Sequence, residues 1–384
     1  RSAERQAAAG RTTAVATDLV AGLRTLRGIG AQRHAAVRYR GASEQALAAT
    51  RRAASATGTY QGVTTLLSGL FLAAIAGVAG WYATTGRLTV GELVAVVGLA
   101  QFLAEPVRTL GFSGQILAMA RASADRVAAV LGATPLVEPG LRTAQAPTDP
   151  RIELRAVSCR TLRDVSFRIA PGELVGVVAD DQRDADTLLA LLAGRVPADE
   201  ITGAVLVDGV PVSELTLDAL RATVLVEHHD VALFEGTLRS NIAGARDGTA
   251  DEDLLAALHT AAAEDLLVNR DEGVDLPVTD RGMSLSGGQR QRIGVARALI
   301  ADPPVLVLHD PTTAVDAVTE ERLAQRLTRA RVRGPAATVV VTSSPALLGK
   351  ADRVVVVRAG TVDREGCHAD LVETDDDYRT AVLR

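Results

Sequence analysis

Leu285-Ser286-Gly287-Gly288-Gln289-Arg290-Gln291-Arg292-Ile293-Gly294-Val295-Ala296-Arg297-Ala298-Leu299 is the stretch of this 384-residue chain that decides the fold. A serine and two glycines precede a run with helical spacing, which predicts a helix opening at Ser286. Such a terminus presents backbone N–H groups and the positive end of the helix dipole, so Ser286 and the glycine amides can meet a phosphate there. Around this helix, from residue 151 onward, short β-branched runs at 174–178, 224–226, 305–308, 338–342 and 354–357 alternate with helix-length stretches. That alternation predicts an α/β domain with a buried, largely parallel sheet.

Composition bounds the rest. Hydrophobic residues make up 47% of the chain, ample for a core, and 23% charged residues exclude wholesale disorder. The balance of 41 basic against 46 acidic residues leaves no nucleic-acid footprint. Two cysteines, Cys159 and Cys367, cannot build a disulfide scaffold or a four-cysteine metal site. Lys350 is the sole lysine, so any chemistry that needs a lysine must use it or do without.

The first 134 residues have a different texture. Residues 53–86 are 34 consecutive uncharged positions, and about 20 apolar residues suffice to cross a bilayer as a helix. Trp81 and Tyr82 suit an interfacial aromatic belt. A second candidate span, about 90–120, is interrupted by Glu92, Glu105, Pro106 and Arg108, whose charges can line a pathway. Helices are therefore expected at about 58–85 and 90–120, as an antiparallel pair joined by 84–89. Before residue 53, ten arginines face three acidic residues, which places that side in the cytoplasm. Residues 135–150 hold four prolines and read as a linker.

The first β–α unit of the soluble half runs from Pro171-Gly172-Glu173 through the strand at 174–178 to a helix from Thr187. A strand, a loop and a helix are the context of a phosphate loop, in which glycines free the backbone amides and a lysine meets the terminal phosphates. Here the loop 179–186 is Ala-Asp-Asp-Gln-Arg-Asp-Ala-Asp, without glycine. Ala185 stands where the lysine belongs, and four aspartates are expected to repel an anion.

The quoted helix resembles, nearly letter for letter, the signature motif of ABC-transporter ATPase domains. The resemblance extends over essentially the whole chain. Residues 305–316 (VLVLHDPTTAVD) look like the Walker B strand and D-loop, with His309 at the metal-linked position and Asp310 at the place of the catalytic glutamate. A register one residue along would instead make Asp310 metal-linked, with Pro311 at the base. The segment 226–242 resembles the Q-loop region with His229 for the glutamine, and Ser344 matches the switch histidine. No adenine-stacking aromatic stands near residues 159–161, and the pair His228–His229 reads as solvated surface, with no metal site expected. Residues 18–27 resemble the second intracellular coupling region of exporter-type transmembrane domains, within about 15–40. Residues 86–95, 106–110 and 123–127 resemble parts of the last membrane helix and its exit. Only the last two of six family helices are visible here.

By resemblance, the fold is the last part of an ABC exporter transmembrane domain (1–134), the linker, and an ABC ATPase domain with a helical subdomain (151–384). The implied function is one half of a heterodimeric exporter in the cell membrane, with its ATPase domain cytoplasmic. ATP and Mg²⁺ are then held mainly by a second half-transporter with intact Walker motifs. Ser286, Gly287, Gly288 and Gln289 complete that partner's site, while Thr187 and His229 are remnants of this chain's own half-site. Membrane lipid and a transported small molecule or peptide are the other expected partners. Two rival readings are a non-transporting regulatory pseudo-ATPase and a competent homodimer with an unusual phosphate loop.

Overall fold

The computed structural model describes residues 2–143, 146–244, 246, 248–268, 270–279, 282–331 and 334–383, and of these the side chains of 2, 3, 103–112, 114, 115 and 118 are not described. The chain divides into two compact units, Arg1–Thr134 and Pro135–Arg384.

The first unit is helical: α1 (Ser2–Ala21), α2 (Leu23–Gly28), α3 (Gln32–Thr84) and α4 (Val90–Leu131). The expected coupling region, 18–27, covers the end of α1 and most of the six-residue helix α2. α1 lies against α3, with Thr12 Oγ1 donating to the Ala42 carbonyl at 3.1 Å and Arg52 pairing with Glu4 at 2.9 Å. α3 contains the uncharged stretch except its last two residues and turns Leu66 (63% exposed) and Phe71 (60%) outward. A soluble core helix would bury such residues, whereas a lipid-facing one leaves them on the outside. α3 is the one described helix with a stretch long and apolar enough to cross a membrane, and 90–102 adds a shorter apolar segment. Glu92 does not interrupt α4. Its carboxylate accepts from the Thr89 amide at 2.7 Å while its own amide donates to Thr89 Oγ1, a capping box that starts the helix. The Glu105, Pro106 and Arg108 side chains lie outside the described residues.

Among its described residues the second unit contains twelve strands: β1 (Ile152–Cys159), β2 (Leu162–Ile169), β3 (Leu174–Ala179), β4 (Thr202–Val207), β5 (Val210–Pro211), β6 (Val224–Glu227), β7 (Gly236–Thr237), β8 (Pro277–Val278), β9 (Val305–His309), β10 (Ala337–Val341), β11 (Arg353–Arg358) and β12 (Thr361–Gly366). Its helices are α5 (Gln182–Leu192), α6 (Leu217–Thr223), α7 (Leu238–Ala243), α8 (Asp251–Thr260), α9 (Gly287–Ala301), α10 (Ala317–Arg331), α11 (Pro345–Leu348), α12 (His368–Thr374) and α13 (Asp376–Val382). The central sheet has the order β12-β11-β3-β10-β9-β6, parallel except for β12. A second sheet, β2-β1-β4-β5, is antiparallel. β9 and β10 are buried along their whole lengths, which is why they read as unbroken apolar runs rather than alternating ones. One apolar cluster, including Ile169, Leu189 and Val355, fills the space between the two sheets and α5. Another, including Leu258, Ile293 and Leu306, joins α8 and α9 to the opposite face of the central sheet.

The predicted linker is not a free tether. The Gly140 and Arg142 amides donate to the Leu215 and Glu214 carbonyls, and the Arg142 guanidinium pairs with the Glu214 carboxylate. Residues 135–150 therefore belong to the second unit.

Candidate functional site

α5 begins at Gln182, five residues before the predicted helix start at Thr187. The reason lies in the loop's own composition. With no glycine to favour an open turn, Asp181 serves as N-cap and accepts from the Arg183 amide at 2.9 Å. The Arg183 guanidinium folds back onto the same carboxylate at 2.6 Å, and this pairing holds Asp181 down to a pKa of about 2. The four aspartates do not simply crowd an anion site, because all four have internal partners. Asp184 is 3% exposed and accepts from the Gly360 amide at 3.0 Å, tying α5 to the β11–β12 turn. Asp180 accepts from Arg358 at 2.9 Å, and the same guanidinium reaches Asp363 and Asp375. Asp186 is exposed and accepts a 3.4 Å bond from Gln182. Ala185 is buried, and Thr187 donates its hydroxyl to the Arg183 carbonyl at 2.7 Å, so that hydroxyl is engaged within its own helix. The β1–β2 connection is only Arg160 and Thr161, neither aromatic.

Beside α5, β9 ends in His309, which is buried, and the chain turns through Asp310 at φ 44°. His309 Nε2 lies 3.0 Å from the Gln182 amide nitrogen and 3.7 Å from Asp310 Oδ2. Its Nδ1 lies 3.4 Å from Nδ1 of His229. The pair His228–His229 is thus not plain solvated surface: His228 is half-buried against Arg195, and His229 abuts His309 edge-on. Burial lowers the pKa of His309, opposed by Asp310, while burial and then Arg195 lower that of His228. Both rings are therefore neutral at pH 7. The cavity left here is about 60 Å³, lined among others by Ala179, Gln182, Ala185, His309 and Asp310. That is room for a water or two. Ser344 is the N-cap of α11, accepting from the Leu347 amide at 3.3 Å.

Ser286 caps α9 in a reciprocal box with Gln289. Ser286 Oγ accepts from the Gln289 amide, and Gln289 Oε1 accepts from the Ser286 amide at 2.9 Å. Ser286 is exposed and Gly287 half-buried, while Gly288 packs under the D-loop turn, where a Cβ would collide with the Ala314 carbonyl oxygen. Gln291 holds that turn in place and was not singled out in the sequence. Its buried amide donates to Thr313 Oγ1 at 2.7 Å and to the His229 carbonyl at 3.4 Å, and accepts from the Ala314 amide at 2.9 Å. A polar residue on the apolar-facing side of a helix was the available signal.

The two ends differ in what they can hold. The α5 terminus is capped by a carboxylate, the cavity beside it is small, and the buried His309 imidazole lies next to it, whereas Mg²⁺ prefers oxygen ligands. The end at α9 presents an exposed serine and glycine amides at a long helix N-terminus, which fits a phosphate.

A parallel sheet with a strand–loop–helix unit, an antiparallel side sheet and a glycine-opened signature helix define a P-loop-type ATPase domain following a helical membrane region. The sequence family described as ABC transporter transmembrane region matches residues 1–107, and that described as ABC transporter matches residues 162–313. The chain belongs to the ABC transporter family, as an exporter-type half with both domains in one polypeptide. It is 33% identical over 96% of its length to a multidrug efflux ATP-binding/permease protein of Mycobacterium tuberculosis, spanning 31% of that protein. It is 31% identical over 86% of its length to an ATP-dependent lipid A-core flippase of Bordetella avium, spanning 56% of it. A solved bacterial Atm1-family ABC exporter with ATP bound matches 99% of this chain and 68% of its own, with TM-score 0.88 and 25% identity. The chain thus spans between about a third and two thirds of the length of these relatives. It is a membrane protein with a cytoplasmic ATPase domain.

Proposed function

We propose that this chain is the degenerate-site half of a heterodimeric ABC exporter, moving a small molecule or peptide across the membrane. Its signature, Ser286 to Gln289, completes an active site whose Walker residues, ATP and Mg²⁺ are held by the partner half. The observation that carries the proposal is the contrast between two helix termini of one domain. α5 is closed by Asp181 and anchored by Asp184, whereas α9 keeps the serine and glycines of a phosphate-facing terminus. In this reading Asp310 and Ser344, at the places of the catalytic carboxylate and the switch histidine, belong to the closed half-site, as do Thr187 and His229. The names of the relatives support export of amphipathic or lipid-like cargo.

The test is calorimetry of Mg²⁺-ATP with the purified full chain in detergent micelles. No saturable heat is expected, and Ala185→Lys alone should not restore it, because the backbone geometry of a glycine loop is still missing. Micromolar binding by the unpartnered chain would overturn the assignment.

A further inference from the structure

We propose that His229 and His309 form a clamp for a borderline divalent transition-metal ion, Zn²⁺ in the first instance. Two Zn–N bonds of about 2.0–2.1 Å at a tetrahedral angle set their nitrogens about 3.3–3.4 Å apart. The facing Nδ1 atoms of His229 and His309 are 3.4 Å apart. As a hydrogen bond between two imidazoles that distance is long, since N–H donors prefer roughly 2.7–3.2 Å. As the bite of one ion it fits.

The surroundings supply what a histidine ligand needs. Metal-bound imidazoles use one nitrogen for the ion and the other for a polar partner that fixes the tautomer. His309 Nε2 has such a partner in Gln182 at 3.0 Å, with the Asp310 carboxylate beyond at 3.7 Å. The Gln182 amide now shows its nitrogen to the ring. Turning it by half a revolution, at the cost of its 3.4 Å bond to Asp186, lets its oxygen accept Nε2–H and leaves the Nδ1 lone pair for the ion. No net proton is released, because the neutral ring only moves its hydrogen from Nδ1 to Nε2 through solvent.

Among the described residues no group of three or more His, Cys, Asp or Glu side chains stands ready around one ion. The clamp is therefore a two-imidazole site whose remaining positions are filled by water, which the exposure of His229 allows. Its physical effect is to fasten the segment after β6 to the end of β9. The inference is independent of the nucleotide reading, since neither test uses the other's ligand.

The experiment is a Zn²⁺ titration of the full chain in micelles, tag-free and carrying Cys367→Ser so that the exposed thiol does not compete. Saturable binding of one ion with micromolar affinity is expected, with a rise in melting temperature and no equivalent response to Mg²⁺. His229→Ala, at an exposed position, should weaken binding at least about tenfold. His309→Asn should do the same. His34, His259 and His368 lie elsewhere in the sequence and His228 turns its Nε2 to Arg195, so Zn²⁺ binding that persists unchanged in His229→Ala overturns the proposal. Absence of saturable binding below millimolar Zn²⁺ overturns it equally.

Discussion

The N-terminus of α5 and that of α9 start from the same elementary object, the first turn of a helix with unpaired amides and a positive dipole end. They differ in who answers those amides. At α9 a neutral serine and the Gln289 amide close the box, and the adjoining residues are glycines. At α5 the answer is a carboxylate from within the chain, with a second carboxylate buried one turn on. A helix terminus is thus an anion site only while the sequence withholds its own anion from it.

That comparison can be broken most sharply in the assembled transporter. Gly288→Asp puts both bulk and negative charge at the α9 terminus and should cost about a hundred- to a thousandfold in ATP hydrolysis, the scale of about 2.7–4 kcal/mol for a lost preorganised donor. Asp310→Ala should change the rate little. Equal losses from the two substitutions would show that this chain's own half-site hydrolyses ATP.

A smaller effect concerns stability. Asp184→Ala leaves the buried Gly360 amide without its acceptor and should cost about 1–3 kcal/mol. Gln289→Ala removes only the partly exposed half of a capping box, worth about 1 kcal/mol or less. Denaturant titration of the two variants should rank them in that order, and the reverse order would mean that α5 is not anchored through Asp184.

The mildest effect is set by pH. Burial lowers the pKa of His228 and His309 below the unfolded value, so the unfolded chain binds more protons as the pH falls. Their burial therefore destabilises the folded chain progressively below about pH 6.5. The melting temperature should fall between neutral pH and about pH 5.5, and less steeply in His309→Asn. An unchanged slope in that variant would assign the acid sensitivity to other groups.

Much of the fold was legible because its signals are local. The β-branched runs mark the parallel strands to within a residue or two, and the glycine-led helix at Ser286 opens where its sequence says it should. The uncharged stretch likewise falls, but for its last two residues, within one continuous helix, α3. The start of α5 was misplaced because a loop was expected in the position of a phosphate loop, although Asp181 ahead of Arg183 is itself a capping signal. What could not be read is the meeting of distant positions. Asp184 finds Gly360 from 176 residues away, and His309 lies 127 from Gln182 and 80 from His229. No local periodicity encodes such encounters; they follow from the order in which the strands enter the sheet.

Gln291 has a consequence for how this domain can be watched. The amide hydrogen of Ala314 sits in a turn, where exchange with solvent deuterium is ordinarily fast, yet its acceptor is a side chain on a separate helix. Its exchange rate is therefore governed by whether α9 stays docked, not by fluctuations of the turn itself. A single slow amide in the D-loop becomes a clock for the signature helix, readable by mass spectrometry without any label or ligand.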